Sequence, residues 1–287
     1  MNRLALGTAQ FGAAYGVANS SGRLDMAEAA EVLTLASAGG VSTIDTAISY
    51  GASERVLGSL GMESWEVITK IATPPAEVVD CEAWFQEEVA GSLGRLGISQ
   101  LEAVLFHDPE QLLGARGGSL FEGLQSCKEQ GLVRKLGISI YDPCSLDWYL
   151  DRFALDIVQS PFSLLDRRLE TEGWVAVLNE RGIEVHVRSV FLQGVLLMSP
   201  EERNRSFGAW QRLWEQLDGW IEDTGSGPLE ACLGHVVATK GIDKVIVGVD
   251  SSDQMEEILS AFGSEPTVAP DDIQTDDLDL IDPRQWQ

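Results

Sequence analysis

Eight short apolar runs alternate with segments of helical periodicity along nearly the whole chain, and this order restricts the fold more than any other feature. The runs predicted as strands are Leu4–Gly7, Thr43–Asp45, Glu66–Ile71, Ala103–His107, Lys135–Ser139, Ile157–Ser160, Glu184–Ser189 and Lys244–Val247. Apolar residues recur at three- and four-residue spacing in Met26–Ser37, Ser53–Leu60, Glu82–Leu96, Leu120–Gln130, Cys144–Leu150, Thr171–Glu180, a longer pair within 206–239, and Ser252–Ala261. Glycines such as Gly97, Gly131 and Gly182 follow several of these segments, as helix ends that turn left-handed require. A strand followed by a helix, eight times over, is the count of a (β/α)8 TIM barrel, and the 287 residues lie near the usual size of about 250. An open doubly wound sheet would also alternate, but no Gly-x-Gly-x-x-Gly follows the first run. The expectation is one α/β barrel domain over residues 1–264, with an acidic C-terminal tail, residues 265–287, packed on or near it.

Charge narrows the partners. The chain has 20 basic and 45 acidic residues, a formal net charge of -25, which argues against nucleic acid or an anionic membrane surface. An anionic ligand needs a local site to overcome that field. No apolar run approaches the roughly 20 residues of a membrane span, no leader segment is evident, and four scattered cysteines without a CxxC pair suit reduced thiols; a cytoplasmic location is expected. The same spacing argues against a zinc cluster. Trp210, Trp214 and Trp220, in the insertion after the seventh strand, are expected to pack a helix onto the barrel.

In such a barrel, function sits where the strands end in the C-terminal direction. Those positions select Gln10, Asp45, Tyr50, Lys70, His107, Ser139, Gln159, Arg188, Ser189 and the turn 248–253. Asp45, Tyr50, Lys70 and His107 come from three successive strands. A buried Lys70 ammonium requires a counter-ion, which Asp45 supplies. Positive charge beside a phenol favours phenolate. Tyr50 could then give a proton to a carbonyl oxygen as it gains charge, with His107 orienting that oxygen or joining a relay. Taken singly, each has an ordinary alternative: a snorkelling lysine, a hydrogen-bonded core histidine, a loop tyrosine. Period-two alternation puts Glu184, His186 and Arg188 on one face of the seventh strand, where Glu184 and His186 are expected to pair structurally.

The chain resembles the aldo-keto reductases at 6–12 (LGTAQFG), 44–54 (IDTAISYGASE), Thr69-Lys70, 106–109 (FHDP), Gly137-Ile-Ser139, 159–163 (QSPFS), 188–194 (RSVFLQG) and 245–250 (VIVGVD). The resemblance implies a (β/α)8 barrel that transfers hydride between a nicotinamide cofactor and an aldehyde or ketone. It implies a catalytic tetrad of Asp45, Tyr50, Lys70 and His107, with Tyr50 as general acid. Ser139 and Gln159 fall where the family holds the nicotinamide carboxamide, and Arg188 and Ser189 where it lines the nicotinamide. Gly248, Asp250, Ser251 and Gln254 fall on the turn that seats cofactor phosphate, a helix N-terminus rich in backbone amides.

Two departures bear on the reaction. Arg188 stands where many members place an aromatic ring; a guanidinium can stack on a ring or bind an anion. It leans the substrate toward a polar or anionic carbonyl compound such as a sugar derivative, helped by Arg167, Arg168 or Arg284. The family resemblance implies NADP(H), yet Asp250 and Ser251 replace the cation that usually meets the 2′-phosphate, so NAD(H) is also expected to serve. Family members are often monomers, so a monomer or weak homo-oligomer is expected. The competing functional readings are a nicotinamide-binding sensor or assembly subunit with little turnover, and a metal-dependent hydrolase. The second needs strand-end ligands that a chain with 3 histidines, one of them at a strand end, does not supply.

Overall fold

The structure, a computed structural model, describes residues 3–286. Its eight parallel strands are β1 (Leu4–Gly7), β2 (Thr43–Asp45), β3 (Glu66–Ile71), β4 (Leu101–Phe106), β5 (Val133–Ser139), β6 (Ile157–Pro161), β7 (Glu184–Arg188) and β8 (Lys244–Gly248). They pair in chain order and close through β8 onto β1, giving the single-domain (β/α)8 barrel that the alternation predicts.

Successive residues of a strand point to opposite faces, which sorts the barrel into two cores. Outward residues such as Ile44, Val67, Val104, Phe106, Leu136, Val158, Val185 and Val187 join the large apolar layer between strands and helices. Inside the barrel a small cluster of Ile68, Ala103, Leu105 and Ile157 forms its own core. Each fully buried aliphatic side chain contributes about 1.5–3 kcal/mol. Continuing the inward rows one step past this cluster leads from Ile68 to Lys70, from Leu105 to His107 and from Ile157 to Gln159. The floor of the site is thus the apolar plug itself.

Several boundaries differ from expectation for local reasons. β4 begins at Leu101 and ends at Phe106, so His107 is the first residue beyond it, although its N–H still donates to Ile71 O at 2.9 Å. β7 ends at Arg188 because Ser189 turns left-handed, with φ 60°. The segment predicted as one helix over 171–180 is two, Arg168–Thr171 and Trp174–Glu180, parted by Gly173 at φ 81°. The predicted helix pair within 206–239 is present as Gln211–Thr224 and Pro228–Ala238, and a further short helix, Pro200–Phe207, precedes it. Ser199 and Glu202 close a capping box on this short helix, and prolines open it and Pro228–Ala238, where the missing N–H costs nothing.

The insertion packs as its tryptophans imply. Trp214 is buried and donates to Phe207 O at 2.7 Å, while Trp210 donates to Asp277 Oδ2 at 2.8 Å. Residues beyond 265 lie against the barrel through buried Ile273, Leu280 and Ile281, through the Thr275 N–H donating to Leu165 O at 2.9 Å, and through Trp286 edge-on to Phe207 at 5.0 Å. Buried Arg167 donates to Ala269 O and Pro270 O, both at 3.1 Å, so it serves this contact and does not line the cavity described below. Among the described residues no helix is long and apolar enough to cross a membrane.

Candidate active site

At the C-terminal mouth of the barrel lies a cavity of about 730 Å³ whose lining includes Asp45, Tyr50, His107, Ser139, Arg188, Ser189, Gly248, Asp250 and Gln254. Beneath it Lys70 is buried, donating to Asp45 Oδ1 and, at 3.1 Å, to Thr46 O. Burial pulls the ammonium down, but the charges of Asp45 and Tyr50 and the hydrogen bond to Asp45 together outweigh it and leave Lys70 above its ordinary range. Asp45 is tied on its other oxygen as well, accepting from Gln159 Nε2 at 2.8 Å. Gln159 in turn accepts from Ser139 Oγ at 3.4 Å and is wholly buried. The amide that sequence reasoning assigned to cofactor therefore braces the carboxylate, because its row on β6 points to the barrel axis beside Asp45.

Tyr50 stands on the loop after β2, its ring centroid 5.2 Å from Lys70 Nζ and 5.9 Å from the His107 ring, which meets it edge-on at 78°. Its main chain is packed against Gly12 so closely that a Cβ there would lie 1.6 Å from Tyr50 O; only glycine permits the approach. The following helix, Ser53–Leu60, is locked to the strands below. Ser53 Oγ donates to Thr8 O at 2.9 Å, and buried Glu54 accepts from Thr69 Oγ1 at 2.8 Å, Arg95 Nε at 2.7 Å and Ser92 Oγ. Because Thr69 immediately precedes Lys70, this carboxylate fixes the Tyr50 loop relative to the strand that carries the lysine. An acidic residue on the inner face of an amphipathic helix was its sequence signal.

His107 shares a hydrogen bond at 3.2 Å between Nδ1 and Ser49 Oγ. Burial, then the charges of Lys70 and Arg188, push its pKa down to about 4, so the imidazole facing the cavity is neutral at physiological pH. Deeper in the barrel His186 Nε2 pairs with Glu184 Oε2 at 3.1 Å, and Glu184 also accepts from Lys135 at 2.7 Å. The His186 bond, opposed by burial and aided by Lys135, holds Glu184 at about 2. This is the structural pairing expected of β7.

Arg188, at the tip of β7, leans toward the loop after β5. Its Nη2 donates to Ile140 O at 2.9 Å, Nη1 lies 3.3 Å from Ser189 Oγ, and its guanidinium covers the Tyr141 ring at 4.2 Å. Arg168 faces the same loop: it donates to Tyr141 O at 3.1 Å and is chelated by Asp166.

The turn after β8 differs in detail from a vacant phosphate seat. Its amides are satisfied by side chains: Asp250 N–H donates to Gln254 Oε1 at 2.8 Å, Gln254 N–H to Ser251 Oγ at 3.2 Å, and Ser252 N–H to the Glu28 carboxylate. Asp250 also accepts from Asn19 Nδ2 at 2.8 Å, tying the loop after β1 across the cavity. Burial raises the Asp250 pKa, against a hydrogen bond from Gln10 that lowers it. Sequence reasoning missed Glu28 and Asn19, which lie far from the turn along the chain. The mouth nonetheless fits a polar ligand of cofactor kind, since the buried acceptor Gln10 Oε1, beside Gly248 on the cavity wall, has no partner among the described residues. Among those residues no group of three or more His, Cys, Asp or Glu is placed to hold a metal ion.

Fold and site together define a barrel enzyme class whose mouth carries a phenol, an imidazole and a buried ion pair. The chain belongs to the aldo/keto reductase family, whose profile it matches over residues 3–275, and membership implies an oxidoreductase that couples a nicotinamide nucleotide to a carbonyl group. It is 30% identical over 217 residues to the NADH-specific methylglyoxal reductase of Escherichia coli (strain K12), a match covering 68% of this chain and 65% of that enzyme. An uncharacterised oxidoreductase of Bacillus subtilis (strain 168) is 25% identical, with 77% and 78% covered. The holo form of an aldo-keto reductase from Bacillus halodurans shares the fold, with a TM-score of 0.74, 22% identity, and 93% of this chain and 88% of that one superposed.

Proposed function

We propose that the protein catalyses reversible reduction of an aldehyde or ketone by a nicotinamide nucleotide, with Tyr50 as the general acid. The observation that carries this reading is the convergence of Tyr50 and neutral His107 on one cavity above the buried Lys70–Asp45 pair. The nucleotide, when bound, supplies hydride to the carbonyl carbon. Tyr50 gives its proton to the carbonyl oxygen, and the Lys70 ammonium stabilises the phenolate left behind. Asp45, braced by Gln159, keeps Lys70 in place and charged, while His107 donates to the same oxygen and orients it. Ser139, Arg188 and Ser189 line the nicotinamide end of the site and Gly248, Asp250 and Gln254 the phosphate end, while Ser251, assigned there from sequence, caps the following helix through Gln254 N–H and does not line the cavity.

NADH fits this site better than NADPH. A 2′-phosphate at the turn after β8 would meet the carboxylates of Glu28 and Asp250, and Ser252 N–H is already given to Glu28. A free ribose hydroxyl can donate to either carboxylate. The Escherichia coli relative is by its name NADH-specific. The test is a panel of aldehydes and ketones assayed with each nucleotide, in wild type and Glu28→Gln. Wild type should turn over with NADH, and the variant should shift the NADPH-to-NADH ratio of kcat/KM upward at least threefold. NADPH bound tenfold tighter than NADH by wild type would refute the cofactor assignment, a gap of about 1.4 kcal/mol. No turnover with any carbonyl would refute the activity.

A further inference from the structure

The fully buried cations of this protein, Lys70, Arg167, Arg168 and Arg203, all lie within 4 Å of a carboxylate. Buried Lys70, Arg168 and Arg203 contact Asp45, Asp166 and Asp218, and Arg95 and Arg284 contact Glu54 and Asp282. Two arginines line the catalytic cavity: Arg205, exposed on its helix, and Arg188, half-buried at the tip of β7. Arg188 makes no ion pair among the described residues, although the chain has 45 acidic side chains to offer. Leaving a partly desolvated guanidinium without a counter-charge costs stability, so the position invites a ligand that supplies one.

The guanidinium is also held in place. Ile140 O anchors one end at 2.9 Å and the Tyr141 ring supports one face at 4.2 Å. Tyr141 is fixed in turn by Arg168 on its carbonyl at 3.1 Å and by Arg284, whose guanidinium lies 3.8 Å from the same ring. The charges of Arg168 and Arg284 are cancelled by Asp166 and by Asp282 at 2.6 Å, so the positive field on this wall comes from Arg188. That field reaches the reacting groups, since Arg188 joins burial and Lys70 in pushing His107 down to about 4. Its contacts are with the loop after β5, and among the described residues no hydrogen bond or ion pair joins it to the turn after β8, the phosphate end of the proposed cofactor site.

We infer that Arg188, held by Ile140 and Tyr141, is an anion subsite for the substrate: a carboxylate or phosphate on the carbonyl compound docks on its guanidinium while the carbonyl oxygen faces Tyr50 and His107. The second half rests on the reductase reading; binding of the anion does not. A chain with net charge -25 repels small anions at long range, so a local cation of this kind is what lets one enter.

The test compares matched pairs of non-reacting ligands by calorimetric titration: succinamate with butyramide for a carboxylate, and glycerol 3-phosphate with glycerol for a phosphate. Wild type should bind the charged member of at least one pair tenfold tighter, the pair with the larger ratio identifying the group. The preference should fall as sodium chloride is raised, collapse below threefold in Arg188→Met and return in part in Arg188→Lys. Equal binding within both pairs by wild type, or a preference that survives in Arg188→Met, overturns the subsite; should that variant not fold, the wild-type ratios and their salt dependence decide. Turnover of 4-oxobutanoate and butanal, measured alongside, separates the two claims. An anion preference with no turnover of these two or of any carbonyl in the panel keeps the subsite and defeats the reductase reading, and turnover without an anion preference does the reverse.

Discussion

Asp45→Asn would leave the Lys70 ammonium buried at 1% exposure without its counter-charge, with neutral acceptors only, the amide oxygen at position 45 and Thr46 O 3.1 Å away. Removing one partner of a buried ion pair costs about 3–5 kcal/mol, chiefly the desolvation of the charge left behind. If that is the mechanism, removing the orphaned charge as well should restore most of the loss. Asp45→Asn/Lys70→Met is therefore expected to be more stable than Asp45→Asn alone, a coupling that independent sites would not show. The assay is chemical denaturation followed by fluorescence, with the slope compared first so that only midpoints are converted into stability. The pH dependence has a fixed sign. In wild type the Lys70 pKa is raised, so its stabilisation is present at neutral pH and is lost only as pH rises through the folded value. In Asp45→Asn burial loses its main opponent, only Tyr50 still raising the pKa, so the folded value falls below the unfolded one of about 10.4, the unfolded chain binds more protons and stability rises with pH toward that value. A loss under about 1 kcal/mol at neutral pH, or a double variant no better than the single one, would show that the pair is not held as described.

Two further outcomes follow from other parts of the structure. His235 is buried against Phe162 and accepts from Ala269 N–H at 3.3 Å; burial, then Arg167, depress its pKa to about 3, below the unfolded value, so its contribution is complete above about 6.5 and is lost as pH falls toward 3. His235→Gln, which keeps an acceptor for Ala269, should flatten the acid limb of the stability curve, and superimposable limbs would contradict this. Gly12→Ala would drive a Cβ to 1.6 Å from Tyr50 O, so the Tyr50 loop must move; stability should fall by more than about 1–3 kcal/mol and turnover at least tenfold, whereas wild-type kinetics would show that the loop is not pinned there.

Local and periodic signals carried the barrel into view, together with the grouping of Asp45, Tyr50, Lys70 and His107 at its mouth. The strand count needs only the spacing of apolar runs, and strand-end positions then single out Asp45, Lys70 and His107. What the sequence did not disclose are contacts between residues distant along the chain, set by barrel register and by where loops fold back. Gln159 meets Asp45 because β6 and β2 face each other across the axis. Glu28 reaches Ser252 because the helix after β1 lies beside the one after β8, and Tyr141 joins Arg188 to Arg284 only once the C-terminal segment has returned to the mouth. Gly173 marks a break that the reading of one helix over 171–180 passed over, and the helix Pro200–Phe207 escaped because Phe207 is its one large apolar residue, too few to show a period.

The central claim is that Tyr50 delivers the proton that accompanies hydride transfer. Single-turnover mixing of the NADH complex with an aldehyde substrate, in wild type and Tyr50→Phe, tests it most directly, with nucleotide affinity measured separately. Wild type should oxidise bound NADH in one phase, and Tyr50→Phe should slow that phase by at least about 10²-fold while binding NADH within a fewfold of wild type. A Tyr50→Phe protein that transfers hydride within tenfold of the wild-type rate would contradict the account.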